Sequence, residues 1–211
     1  MTATPDATNA AAVDRRADDF SAGRVAALHV KPSVPGEPGL PKPAVPSVRI
    51  EYAGVVGDYN RYRTDELDGD PDSAVLLLPA ETIEALGRDG WPVRPGDLGE
   101  NVTTRGVAYD DLAPGAQWAI GTAVVETTRA CTPCGSLAVL PYVGAEKLRT
   151  FQAALLGRRG WYARVVVPGD ARVGDPVVRV RPPAVAGATR APVGPPRPFE
   201  ATRSSLRSSP P

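Results

Sequence analysis

Histidine, methionine and cysteine are scarce in this chain: one, one and two among 211 residues. A structural zinc site needs four ligands, and two thiolates with one histidine about a hundred residues away would have to recruit carboxylates. The cysteines are also too few for an iron–sulfur cluster, and no G-x-G-x-x-G fingerprint of a nicotinamide or flavin nucleotide site occurs. Excess charge of either sign is missing, with 24 Lys+Arg against 24 Asp+Glu. No bulk field therefore draws in nucleic acid or an acidic membrane. Long apolar runs are absent as well: none approaches the roughly 20 residues that span a bilayer. The start "MTATPDATNAAAVDRRADDF" lacks the basic opening and apolar centre of a secretory signal. A cytoplasmic location is expected, where thiols stay reduced and two cysteines are not a disulfide framework. Lysine, too, is rare (Lys31, Lys42, Lys147), and the arginines that replace it favour forked recognition of phosphate or carboxylate.

What is present is short, β-rich and punctuated by turns. Residues 1–22 and 182–211 are dominated by Ala, Thr, Pro, Ser, Arg and Asp without apolar period, and are predicted as disordered tails around one domain over 23–181. Inside it, "GRVAALHV", "SVRIEYA", "SAVLLL", "AQWAI", "TAVVETT", "WYARVVV" and "PVVRV" lie between Gly, Pro and Asp turn signals and read as strands. Two helices are predicted. "PAETIEALGRDG" begins at Pro79 with acids in its first turn and Gly87 at its C-terminal cap; "AEKLRTFQAALLG" sets Leu148, Phe151 and Leu155 on one stripe, ending at Gly157. Many strands with two or more short inserted helices predict a mainly β fold, a closed or partly closed barrel rather than alternating βαβ units.

The stretch "TTRACTPCGSL" holds both cysteines, Cys131 and Cys134. A thioredoxin-type redox pair needs a βαβ beginning and a helix N-terminus, whereas strand and turn residues precede this pair and Pro141 and Gly144 follow. Two readings stay open from local chemistry. Both cysteines can be small buried hydrophobes, or Cys134, between Pro133 and Gly135 with Arg129 nearby, can be a stabilised thiolate.

The segment "PGDLGENVTTRGVAYDDLAPGAQWAIGTAVVETTRACTPCGSL" resembles the MOSC family, named for the C-terminal domain of molybdenum cofactor sulfurase, in its small stand-alone bacterial form. Gly99-Glu100-Asn101-Val102-Thr103 stands at the family's G-E-N-[LV]-T turn and Pro133-Cys134-Gly135-Ser136-Leu137 at its P-C-x-x-[LI] motif. "GLPKPAVPSVRIEYAGVVGD" resembles the family's entry and places Lys42, Gly57 and Asp58; "GDPDSAVLLLPAETIEAL" and "GWYARVVVPGDARVGDPV" resemble later segments, in order, over about residues 24 to 180. Two positions depart. Asp68-Gly69-Asp70 replaces His-Gly-Gly, removing a histidine and adding two acids, and Cys131 stands where many relatives carry arginine.

The resemblance implies a barrel-like fold whose cysteine, here Cys134, ligates molybdenum held by a pterin dithiolene and reduces N-hydroxylated compounds. It implies cofactor contacts from Lys42, then Arg61, Arg63 and Arg129, and from the turn of Gly99, Glu100, Asn101 and Thr103, through amides, the Asn101 side chain and the Thr103 hydroxyl. Asp58 orients a cation or caps a turn. Electrons come from a separate flavin or ferredoxin-type reductase. A sulfur carrier is the alternative implied, Cys134 taking a persulfide from a pyridoxal-phosphate-dependent desulfurase, and a cofactor-free binding module is the third.

Overall fold

The short apolar runs fold as strands, because they are rich in apolar and β-branched residues and lie between turn residues. The structure is a computed structural model and describes residues 22–35 and 37–180. The tails predicted over 1–22 and 182–211 lie outside the described residues, apart from Ala22, which opens the first strand. The strands are β1 (Ala22–His29), β2 (Ala44–Val45), β3 (Ser47–Glu51), β4 (Gly54–Val55), β5 (Val75–Pro79), β6 (Val102–Arg105), β7 (Gln117–Ile120), β8 (Ala123–Ala130), β9 (Trp161–Val167), β10 (Gly169–Arg172) and β11 (Pro176–Val180). Helix α1 spans Ala80–Arg88 and α2 spans Gly144–Ala154. Among the described residues no helix is long and apolar enough to cross a membrane.

Seven strands form a closed barrel in the order β11-β7-β8-β9-β5-β6-β1, shut by antiparallel pairing of β1 with β11. Closure removes the unpaired strand edges that an open sheet exposes. The β5–β6 pair is parallel and is bridged by α1, so one βαβ unit is set into an otherwise antiparallel barrel. A second sheet, β10-β3-β4, packs beside it.

Strand β5 positions the site. All five of its residues are buried because its two faces meet different cores. Val75 and Leu77 enter the barrel core with Trp118, Val102 and Val125. Leu78 joins Ile83, Leu86, Leu98, Leu137 and Phe151 beneath the helices, and Leu76 packs on Cys131 and Tyr162. The predicted stripe of α2 is present: Phe151 and Leu155 are buried and Leu148 packs against the same cluster. Helix α1 differs from its prediction at the end. Gly87 lies inside the helix, and Gly90, at φ 91°, takes the left-handed conformation beyond it. Pro79 is the extended residue before the first helical turn rather than within it.

Candidate functional site

A bulge in β8 aims the first site residue. Between Thr127 and Arg129 the register against β9 shifts, so Thr127 pairs with Ala163 and Arg129 with Tyr162. Simple alternation from Val125 and Thr127, both buried, would send Arg129 into the barrel core. The extra residue, Thr128, turns it outward, and the Thr128 hydroxyl fixes the bend by donating to the Asp72 carbonyl at 2.6 Å. The Arg129 guanidinium lies 5.5 Å from the centre of the Tyr162 ring and lines a cavity of about 270 Å³. Cys134, Arg159, Lys42 and Gly99 line the same cavity, with Leu40, Leu76 and Leu98 as apolar wall.

The two cysteines have opposite surroundings. Cys131 is buried, and its amide donates to the Gly160 carbonyl at 2.9 Å, which ties the cysteine loop to the start of β9. Burial pushes the Cys131 thiol up, only partly opposed by Arg159 and Tyr162. Cys134 is half-buried and faces the cavity. Burial pushes its thiol up too, but the charge and hydrogen bond of Arg159, with hydrogen bonds from the Ser136 side chain and amide, outweigh it and hold the thiol below its ordinary value. The sequence left a buried hydrophobe and a reactive thiolate as open readings. The structure buries Cys131 and leaves Cys134 facing the cavity.

Arg159 is the principal residue that sequence reasoning missed. It is 6% exposed, donates from Nη1 to the Thr132 carbonyl at 2.6 Å, and has an Nε without a hydrogen-bond partner. Its only signal was the pair Arg158-Arg159 before Gly160 at the entry to β9, which looks like an ordinary surface doublet. Arg158 fits that description, paired at 2.7 Å with Asp89.

The other anticipated residues separate into cavity wall and support. Lys42 is on the wall, and its Nζ lies 2.5 Å from Asp58 Oδ2, both side chains 4% exposed. Asp58 sits behind it and both holds this cation and anchors the chain, accepting from the Lys31 amide and Asn101 Nδ2 at 2.9 Å each. Arg61 is on the rim, 65% exposed and 3.5 Å from Asp65. Arg63 does not line the cavity; its guanidinium donates to the carbonyls of Ala53, Gly69 and Asp70 and staples the loop.

The turn at 99–103 differs from its expected use. Gly99 does line the cavity, at φ 85°, where a Cβ would sit 2.7 Å from Leu40 Cδ2. Its amide, however, donates to the Gly96 carbonyl, and that of Asn101 to the Leu76 carbonyl. The Asn101 side chain accepts from the Leu76 amide at 3.2 Å and donates to His29 O and Asp58. Thr103 lies in β6, and its hydroxyl donates to Glu100 Oε1, which also accepts from the Gly96 amide at 2.6 Å. Glu100, Asn101 and Thr103 are therefore buried braces behind the wall, and the amides of Gly99 and Asn101 are not free for an anion. Burial raises the Glu100 carboxyl to about 7 against its hydrogen bonds and Lys42. Burial and Lys42 push neighbouring His29 down to about 4, so it stays neutral, with neither ring nitrogen partnered.

The acids of the departing loop also have a place. Asp70 Oδ2 lies 3.0 Å from Arg129 Nη1, and Arg129 Nη2 donates to the Ser73 hydroxyl at 2.5 Å.

The MOSC domain family model matches residues 64–178, more than half the chain. The chain belongs to the MOSC domain family. The matched stretch holds Asp70, Arg129, Cys134, Arg159 and Tyr162, whereas Lys42, Asp58 and Arg61 precede it. The MOSC fold seen here is similar to that of the YuaD protein from Bacillus subtilis, at TM-score 0.64 and 17% identity over 78% of this chain and 99% of that one. It is similar to YiiM from Geobacillus stearothermophilus, at TM-score 0.57 and 26% identity over 75% of each chain, and to YiiM from Escherichia coli, at 0.53 and 18% over 77% and 70%. No curated protein sequence matches this MOSC chain.

Proposed function

We propose that this MOSC domain holds a molybdenum–pterin cofactor with the Cys134 thiolate as a sulfur ligand to the metal, and serves the reduction of N-hydroxylated small molecules. The observation that carries this reading is a cavity-facing thiol held below its ordinary value by a buried guanidinium. A soft, deprotonated sulfur suits a redox-active metal already bound by dithiolene sulfur. The donor set fits such a group: Arg159 is a buried cation with a free Nε, Lys42 lies on the same wall, and Leu40, Leu76 and Leu98 give a pterin ring an apolar surface. The cofactor, when bound, supplies the two-electron chemistry. The chain supplies the anchoring sulfur, the positive charge beside it and a partly apolar wall. Electrons then come from a separate flavin or ferredoxin-type reductase, because the sequence carries no nucleotide fingerprint of its own.

A second reading uses the same thiolate. In a sulfur carrier, Cys134 accepts sulfane sulfur from a pyridoxal-phosphate-dependent desulfurase as a persulfide, and its half-exposed position favours such a transfer. One experiment addresses both. The chain is purified from a cofactor-competent, molybdenum-replete host and analysed for metal, pterin and intact mass. Stoichiometric molybdenum that is lost in Cys134→Ala supports the first reading; retention of molybdenum by that variant overturns it. A metal-free chain carrying one added sulfur on Cys134 supports the second instead.

A further inference from the structure

We propose that Asp70 sets the charge preference of this cavity: by pairing with Arg129 at the mouth, it makes the approach to Cys134 favour uncharged or cationic small molecules over anionic ones. This rests on the proposed function, in which the chemistry takes place beside Cys134 in this cavity, and names the substrate class of that same site.

Four cations line the cavity, and three of them have a carboxylate partner. Lys42 is 2.5 Å from Asp58, Arg61 3.5 Å from Asp65 and Arg129 3.0 Å from Asp70. Among the described residues Arg159 has no carboxylate within ion-pair distance, and it faces the two sulfurs instead. The four cations thus stand against three paired carboxylates, none of which is itself on the cavity wall.

The distribution matters more than the sum. Arg159 is 6% exposed and lies inside, whereas the side chains of Arg129 and Arg61 are 43% and 65% exposed and lie toward solvent. Both outer cations are paired, as is the buried Lys42. The segment 61–72, which brings Arg61 to the cavity, carries five acids against two arginines, and three of those acids, Asp65, Glu66 and Asp68, are exposed. An incoming anion thus meets no unpaired arginine until it is past the rim.

Neither member of the Asp70–Arg129 pair is free to swing away. Asp70 Oδ1 accepts from the Asp72 amide at 3.0 Å and Oδ2 also accepts from the Ser73 hydroxyl at 3.3 Å, so the carboxylate caps the short turn Pro71–Ser73. Arg129 donates to the same Ser73 hydroxyl and lies over Tyr162. A free anion has to displace a carboxylate that the backbone holds in place, and it loses that competition at ordinary concentrations.

Asp70→Asn separates charge from scaffold, because the amide oxygen still accepts from Asp72 while the negative charge is gone. The test treats the full chain with three methanethiosulfonate reagents bearing a trimethylammonium, a methyl or a sulfonate group. Each passes its thioalkyl group to the Cys134 thiolate as a disulfide, and methanesulfinate leaves. Peptide mass spectrometry locates the adduct and gives the rates. In the natural chain the cationic reagent should outpace the anionic one. Asp70→Asn should raise the anionic-to-neutral rate ratio about fivefold, and Arg129→Gln should lower it about threefold, with melting temperatures close to the parent. Ratios unchanged in both variants, or a parent that prefers the sulfonate, overturn the inference while leaving Cys134 as the reactive centre. The reagents are applied to chain that element analysis shows to be free of molybdenum, and a Cys134 inert to all three there overturns the thiol as the centre as well.

Discussion

Arg159 and Cys134 form one chemical unit although 25 positions separate them in sequence. The guanidinium lowers the thiol because it is buried with it, where a unit charge acts through a medium less polarisable than water. In Arg159→Gln, burial acts on Cys134 without that opposition, so the midpoint of its alkylation by iodoacetamide should move to higher pH and the rate at pH 7 should fall several-fold. An unmoved midpoint would take the role away from Arg159. Cys134 was legible in the sequence because proline and glycine flank it in a family motif. Arg159 was not, because an arginine beside another arginine looks solvated until β9 is placed against the cysteine loop by the Cys131–Gly160 hydrogen bond. Asn101 and Thr103 misled in the opposite direction: polar side chains in a turn look available, and only burial shows that their hydrogen bonds close inward.

Among the elements, the strands with a clear apolar period were legible, and β6 and β10 were not. "VTTR" and "GDAR" carry little period-two signal; they are strands because β1 and β5 flank the first and β3 pairs with the second. The end of α1 shows the same limit at finer grain. A glycine near the end of an apolar period reads as a cap, which puts the helix end at Gly87, whereas the left-handed residue is Gly90. The backbone distinguishes them. Gly87 is helical, and nothing lies within 4 Å of where its Cβ would be. Gly87→Ala should therefore stabilise the fold by about 0.4 to 1 kcal/mol, by restricting the unfolded chain. Gly90→Ala should destabilise it by about 1 kcal/mol, because alanine strains at φ 91°. Urea unfolding of the two variants checks both signs, and equal effects would place the helix end elsewhere.

At the scale of the molecule, the barrel depends on its first and last strands meeting, since β1 and β11 close it from opposite ends of the described chain. The seam is tight. Gly23 pairs with Val177, and a Cβ on it would lie 2.6 Å from both the Arg105 carbonyl and Val107 Cγ2. Gly23→Val should cost about 1 to 3 kcal/mol in urea unfolding, as overpacking does, whereas an unchanged midpoint would mean that the seam yields. The loss should show in global stability, because the seam is remote in sequence from the cysteine loop and reaches it only through the intact barrel.

The amino-acid sequence by itself determined the family, the mainly β character and most strands, and singled out Cys134. Those properties are written in local periods, turn residues and a short motif, which need no distant contact to be recognised. Tertiary structure alone decided which cysteine is buried, which arginine stands beside the other, which acid neutralises Arg129, and that the turn at 99–103 braces the wall. Each of these depends on burial and on charges brought together from separate strands, and linear order does not encode the distance between residues that are far apart along the chain.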